Sequence, residues 1–350
     1  MSRESWGRVR ELAGGWLLAA GATALVYLVV VEFARLFALI FGAILVATAL
    51  SGLAHLVNVR GRLPHALSVS LVIAFLLATC VGLGAWLGPQ VVGQIGELDQ
   101  KIRQGVENAR SLLDSTLDFL EKHVPSLRDG VLPRAGSIVQ STGKVLSSGF
   151  GTLTDVVVVV LLGVFLAANP ARYERGLLLL VPRAQRARGR AVLRATARTL
   201  RYWLLARGLL MLLVGTLFAI GLSILGIPFA VPLGIIAGLL DFIPYLGPVL
   251  GAIPALAVAF LEGPDRVLWV LGLYVVVQFV ESYIAGPLVE SKAVTLPPGL
   301  LLAFQVICAA WLGVLGVLLA TPLLVALVVG VQMIYIQGVL GEEIRIAGEH

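Results

Sequence analysis

Apolar residues in this chain come in long runs, at 16–31, 36–57, 66–87, 153–168, 209–227, 267–284 and 300–335. Several approach or exceed the roughly 20 residues a helix needs to cross about 30 Å of hydrocarbon. The pattern predicts an all-α, polytopic membrane protein. One stretch, 229–262, is equally apolar but is interrupted by Pro232, Pro244, Pro248 and Pro254 and by several glycines. It cannot form one straight helix. At membrane depth every backbone N–H and C=O needs an internal partner, so a broken segment is tolerated only inside protein or along a wet cavity. The run from Pro297 to Tyr335 is a second candidate, interrupted at Gly313–Gly316 and at Thr321-Pro322. Transporters commonly build a central site from such discontinuous helices.

A different pattern occupies 89–150. Val91, Ile95, Leu98, Ile102, Val106, Ala109, Leu113, Leu117, Leu120 and Val124 recur at spacings of 4, 3, 4, 4, 3, 4, 4, 3 and 4, an eleven-residue repeat that keeps one stripe on a nearly straight helix. That helix is about 50 Å long before Pro125. Its stripe needs a partner: the same chain, the membrane interface, or a second copy.

Composition agrees with the membrane reading, since 59% of residues are hydrophobic and 13% are charged. The mean hydropathy is +0.97. Arginine sets the orientation. Between Arg172 and Arg207 there are ten Arg against one acid, Glu174, and short basic loops remain cytoplasmic. The N-terminus, with Arg3, Arg8 and Arg10, is therefore expected inside, its first apolar run acting as a signal anchor. The balanced segment 89–150 falls outside. Arg186, Arg190, Arg194, Arg198 and Arg201 follow one another every three or four residues and predict a basic ridge that faces anionic lipid headgroups or solvent. No nucleic-acid partner is expected.

The resulting organisation is N-terminal membrane helices (1–88), an extracytoplasmic amphipathic segment (89–150), a membrane helix (151–170), a basic cytoplasmic segment (171–207), a transport core with broken helices (208–338) and a tail (339–350).

Three ionisable groups lie near the breaks: Asp241, Glu281 and Arg207. A charge inside the membrane costs about 2.5–3.5 kcal/mol on insertion scales, so each should face water or a partner. Burial disfavours the charged form of a carboxylate, which makes Asp241 and Glu281 candidate proton carriers. Arg207, close to the basic stretch, is expected nearer the interface. Gln278 and Tyr245 are candidate hydrogen-bonding groups for a polar cargo. Cys80 and Cys308 each stand alone, and the four His lack metal-ligand spacing, so no metal or cofactor is expected. The stretch Gly136 to Val145 does not fit a phosphate loop, and no GxSxG or HExxH is present, which argues against an ATPase or a hydrolase.

The run Leu239-Leu240-Asp241-Phe242-Ile243-Pro244-Tyr245-Leu246-Gly247-Pro248, followed by Gly251 and Pro254, resembles the signature of the autoinducer-2 exporter family. Tyr274, Gln278 to Glu281, Gly286-Pro287, Leu296-Pro297-Pro298, Gly313 to Gly316 and Ala320-Thr321-Pro322 match that family's C-terminal half in order. Ala206-Arg207 stands where the family tends to have Gly-Gln, and Asp241 where Asn or Glu is common. The resemblance implies a bacterial inner-membrane protein of about eight passes, oligomeric, that exports small signalling molecules or, in some members, exchanges cations for protons. The expected pathway residues are Asp241, Pro244, Tyr245, Gly247, Pro248, Gly251, Gln278, Glu281, Pro287, Gly313, Gly316, Pro322 and Arg207. The cargo is then a small polar molecule, or a cation and a proton. A membrane scaffold that transports nothing is the remaining alternative.

Overall fold

The computed structural model describes residues 33–55, 57–58, 64–79, 153–290 and 296–341, with 100–108 and a few single positions between them. Every regular element among the described residues is helical. In chain order these are α1 (Phe33–His55), α2 (His65–Thr79), α3 (100–108), α4 (Leu153–Ala168) and α5 (Pro170–Leu179). Then follow α6 (Arg186–Ile224), α7 (Ala230–Leu240), α8 (Leu246–Glu262) and α9 (Pro264–Phe279), the last continuing through a wide π-helical turn (Val280–Ala285) into α10 (Gly286–Glu290). Last comes α11 (Pro298–Gly330), which widens into a π-helical end at Val331–Leu340. By length and composition, four helical stretches among the described residues can cross a membrane: Phe33–His55, Arg183–Ile224, Pro264–Val289 and Pro298–Leu340. A fifth is added if α4 and α5, bent by 89° at Asn169, form one span. The expected run 16–31 lies outside the described residues, as does most of the long outer stripe.

α6 is the spine. Its 39 residues contain no proline, so nothing breaks the hydrogen-bond ladder while the composition passes from arginine-rich to apolar. α7 runs back along it. A Cβ on Gly238 would come 2.7 Å from the Met211 carbonyl oxygen, and one on Gly234 would come 2.6 Å from the Ala219 Cβ. Those two glycines, spaced GxxxG, let the backbones meet at a distance no larger side chain permits. Around this seam Val214, Phe218, Leu222, Leu233, Ala237, Ala255, Val258, Val270 and Val277 form the core of α6 to α9. On the other side α1 and α4 run parallel, with Gly163 against Val46 and Arg35 joined to Asp155 at 2.7 Å.

Two helical hairpins hang on this spine. α7 and α8, 11 and 17 residues long, are about 16 and 25 Å, short of a full crossing. They are antiparallel, since Gly251 faces Ala237 while Gly247 faces Leu240, with a Cβ on Gly247 overlapping the Leu240 carbonyl oxygen. The second hairpin lies within α11. Gly313 has φ 60° and ψ −137°, a conformation closed to other residues. A Cβ on Gly316 would overlap the carbonyl oxygen of Cys308, two groups about 12 Å apart along a straight helix. The chain therefore turns back on itself at Gly313. Proline at 322 follows in the second arm, where it is buried.

The hairpins open toward opposite ends of α6. At the open end of the first, Lys101 of α3 pairs with Glu262 at 3.3 Å and sits over the Phe229 ring at 5.6 Å. At the open end of the second, Leu296 packs in a cluster with Leu200, Trp203 and Val325, and Arg188 donates to the Met333 carbonyl at 3.3 Å.

Candidate functional site

The first hairpin reverses over Asp241–Tyr245. Pro244 stops α7 from continuing, and its carbonyl oxygen accepts from the Leu246 N–H at 2.8 Å. This closes a three-residue γ-turn about Tyr245, whose φ of 66° and ψ of −46° belong to the rare, strained form of that turn. Strain of this kind persists where the surroundings over-determine it, and it concentrates at functional sites.

Asp241 ends α7 and is 0% exposed. The last carbonyls of a helix lack intrahelical partners and carry partial negative charge. Arg207 answers both the charge and the carbonyl. Its Nη2 donates to the Asp241 carbonyl oxygen and lies 3.2 Å from Oδ1, while its Nη1 lies 3.3 Å from Oε1 of Glu281. Glu281 reaches inward from the π-helical turn that follows α9. Pro287 causes that turn: it offers no N–H, and in an α-helix its ring clashes with the carbonyl of the residue four before it. A π-turn is a frequent way to present a functional side chain. Gln278 fixes the other Glu281 oxygen at 3.1 Å and also donates to Ser282 Oγ at 3.0 Å. Trp203 meets Phe242 edge to face at 5.6 Å and forms the apolar wall beside the tip.

The structure thus brings together Arg207, Asp241, Glu281 and Gln278, with Pro244, Gly247 and Gly251 shaping the hairpin. Arg207 is 4% exposed; the expectation that it lies at the interface is corrected. Its closeness to the basic stretch is a closeness along one helix, and burial follows from α7 and the π-turn closing over it. Tyr245 is exposed. Pro248 is half-buried on α8, Pro287 acts through the backbone, and Gly313 and Gly316 shape the second hairpin; the expected interruption at Thr321-Pro322 is corrected, since Pro322 lies inside the helix and Gly313 is its non-helical residue. The basic ridge is not one uniform face. Arg190, Arg194 and Arg198 are exposed, yet Arg190 and Arg194 share Glu174 at 3.5 and 3.3 Å. Arg186 donates to the Val181 carbonyl, and Arg201 packs on Gly52 of α1.

Gln305 was not singled out from sequence. It is 0% exposed and donates from Nε2 to the Pro244 carbonyl at 3.3 Å. Its Oε1, together with Arg207 Nε and Thr321 Oγ1, is buried and has no hydrogen-bond partner among the described residues. Thr321 shares a helical face with Val325, which packs in the cluster of Leu200 and Trp203. The signal was present, since a glutamine inside an otherwise apolar run must find a partner.

With both acids ionised, the one guanidinium of Arg207 faces two buried carboxylates. No group of three or more His, Cys, Asp or Glu among the described residues is arranged to hold a metal ion.

Residues 17–335 match the family described as AI-2E family transporter. The chain is 26% identical over 276 residues to "Putative transport protein YueF" of Bacillus subtilis, covering 75% of this chain and 74% of that protein. A "Putative transport protein" of Thermotoga maritima is 27% identical over 268 residues, 76% of this chain and 79% of that protein. The "AI-2 transport protein TqsA" of Escherichia coli is 24% identical over 286 residues, 78% of this chain and 79% of that protein. A match across nearly the whole length, spanning both hairpins and the ionic cluster between them, places this chain in the AI-2E family of membrane transporters.

Proposed function

We propose that this transporter is a secondary exporter of a small polar metabolite or signalling molecule, of the kind named for its Escherichia coli relative. The observation that carries the reading is the buried Arg207–Asp241–Glu281 cluster at the interruption of an apolar hairpin. Ionisable groups are retained at such depth where they serve a path for cargo or protons. In this reading α7 and α8 form a re-entrant hairpin entering from outside, the second hairpin enters from inside, and cargo passes where the tip of the first meets the second. The basic stretch 172–207 and the N-terminus lie in the cytoplasm of a bacterial inner membrane, with exposed arginines against anionic lipid, and the protein works as a homo-oligomer.

The test is export. Cells with and without the gene are compared by metabolite profiling of the medium, and purified protein is placed in liposomes loaded with autoinducer-2. Gene-dependent appearance of a polar metabolite outside, lost in Arg207→Gln, supports the reading. Liposomes and cells that release nothing sink it and leave the scaffold.

One observation favours a second reading, cation/proton antiport. Two buried carboxylates face the one guanidinium of Arg207, and either can take up a proton or bind a monovalent cation, a competition that couples the two. Everted vesicles then show cation-dependent collapse of a proton gradient that Glu281→Gln abolishes. A metabolite exporter gives no such response.

A further inference from the structure

The first arm of the second hairpin turns one seam inward. Leu301, Gln305 and Cys308 are buried, while Leu300, Leu302, Val306, Ile307 and Trp311 are exposed. The spacing of four and three is that of a single helical face. Gln305 is the strongest hydrogen-bonding group on that seam, and it is spent on the backbone of the other hairpin. Its partner, the Pro244 carbonyl, is the same oxygen that closes the strained γ-turn at Tyr245. Because that partner is an acceptor, the amide nitrogen must be the atom that faces it.

We infer that Gln305 is the positioning residue that latches the strained tip of the first hairpin to the second hairpin. Asp241 lies at the start of the same five-residue reversal, so the latch also fixes where its carboxylate stands relative to Arg207. Arg207 holds the reversal at its beginning, through the Asp241 carbonyl, and Gln305 holds it at Pro244. Releasing either grip frees the turn to relax toward ordinary backbone angles. The consequence for transport rests on the pathway reading above, but the latch is testable without any cargo.

The chain holds two cysteines, so Cys80→Ala leaves Cys308 as its single thiol, on the same seam as Gln305. The probe is N-ethylmaleimide acting on the full chain in lipid nanodiscs, with the rate of Cys308 alkylation read by mass spectrometry. Gln305→Leu keeps the bulk and removes the donor. It is expected to speed alkylation about tenfold, the scale set by one lost buried hydrogen bond. Gln305→Glu separates latching from packing: its neutral acid donates to the Pro244 carbonyl and its carboxylate cannot. Relative to the parent at the same pH, its rate is expected near one in acid and high in alkali. Arg207, Asp241, Glu281 and Tyr245, the ionisable groups at the tip among the described residues, are present in both proteins, so their own titration cancels in the ratio. Leu222→Cys, with Cys80 and Cys308 replaced by Ala, reports the core of α6 to α9 and is expected not to respond to Gln305→Leu. An unchanged Cys308 rate in Gln305→Leu overturns the latch. So does a Gln305→Glu ratio that ignores pH, or a matching rise at the Leu222→Cys site. None of these outcomes bears on export itself, which the liposome assay decides separately.

Discussion

Arg207 and Asp241 are joined twice, once through the carboxylate at 3.2 Å and once through the aspartate's own backbone carbonyl. A single side chain therefore caps α7 and neutralises the acid that ends it. Lysine has one compact ammonium and cannot span the Asp241 carbonyl, its carboxylate and Glu281 together. Methionine removes the charge and leaves two buried carboxylates. Arg207→Met is expected to lower stability by about 3–5 kcal/mol, the cost of breaking a buried pair by removing one partner. Arg207→Lys should fall between Met and the parent. Unfolding by SDS titration in mixed micelles measures both, and equal stability of the Met variant and the parent would contradict the cluster.

Glu281 behaves differently because Arg207 meets it through one contact and Asp241 through two. In Glu281→Gln the side chain can still accept from Gln278, and the remaining Arg207–Asp241 pair is balanced. The substitution is expected to cost less stability than Asp241→Asn, which disturbs the charged half of a doubly held group. Arg207→Met should also be milder in the Glu281→Gln background than alone, with a coupling of about 0.5–3 kcal/mol for groups in one network. The same SDS titration applied to the four members of the cycle reads it; additive losses would place the two side chains in separate environments.

Much of this was legible in the sequence, for reasons that can be named. Pro244 cannot continue a straight helix and glycines near it weaken one, so the first reversal follows from local chemistry. Gly313 marks the second for the same reason, although nothing local shows that the chain turns fully back there, which depends on Gly316 finding the Cys308 carbonyl. Asp241 and Glu281 stand out because charge in an apolar run is expensive. Arg207 was visible but misplaced, because its burial is a tertiary fact about α7 and the π-turn and leaves no trace in its neighbours. The spacing of Gly234 and Gly238 was also on the page, yet glycine there was read as a helix breaker. In the structure both lie inside α7 and serve close packing. An even spacing of arginines predicted one ridge, but Glu174 and Gly52 divide it, and neither lies on α6.

The α6–α7 seam gives a contrast between glycines of identical local conformation. A side chain at Gly234 would press on Ala219 and on the Gly215 carbonyl, both 2.6 Å away, and backbone cannot yield cheaply. Gly234→Ala should destabilise by about 1–3 kcal/mol, as overpacking does. Gly272, within α9, has nothing within 4 Å of an added Cβ. Gly272→Ala should be neutral or stabilising by about 0.5–1 kcal/mol, because alanine favours a helix interior. Thermal melts of the two variants in one detergent decide the order, and a more stable Gly234→Ala would disprove the close approach.

α3 is held against the first hairpin by shape more than by charge. A Cβ on Gly105 would overlap the Ala257 carbonyl oxygen of α8, and Ile102 packs against the core of α6 to α9. The Lys101–Glu262 pair is exposed on both sides, and pairs of that kind contribute about 0–1 kcal/mol. Lys101→Gln should leave α3 docked. Gly105→Val should lift it, since neither backbone can retreat while α7 and α8 hold each other. Limited proteolysis of right-side-out vesicles distinguishes the two: cleavage within 89–150 is expected to accelerate in Gly105→Val and to match the parent in Lys101→Gln. Acceleration by Lys101→Gln alone would mean that the ion pair, and not backbone contact, fastens this helix to the hairpin.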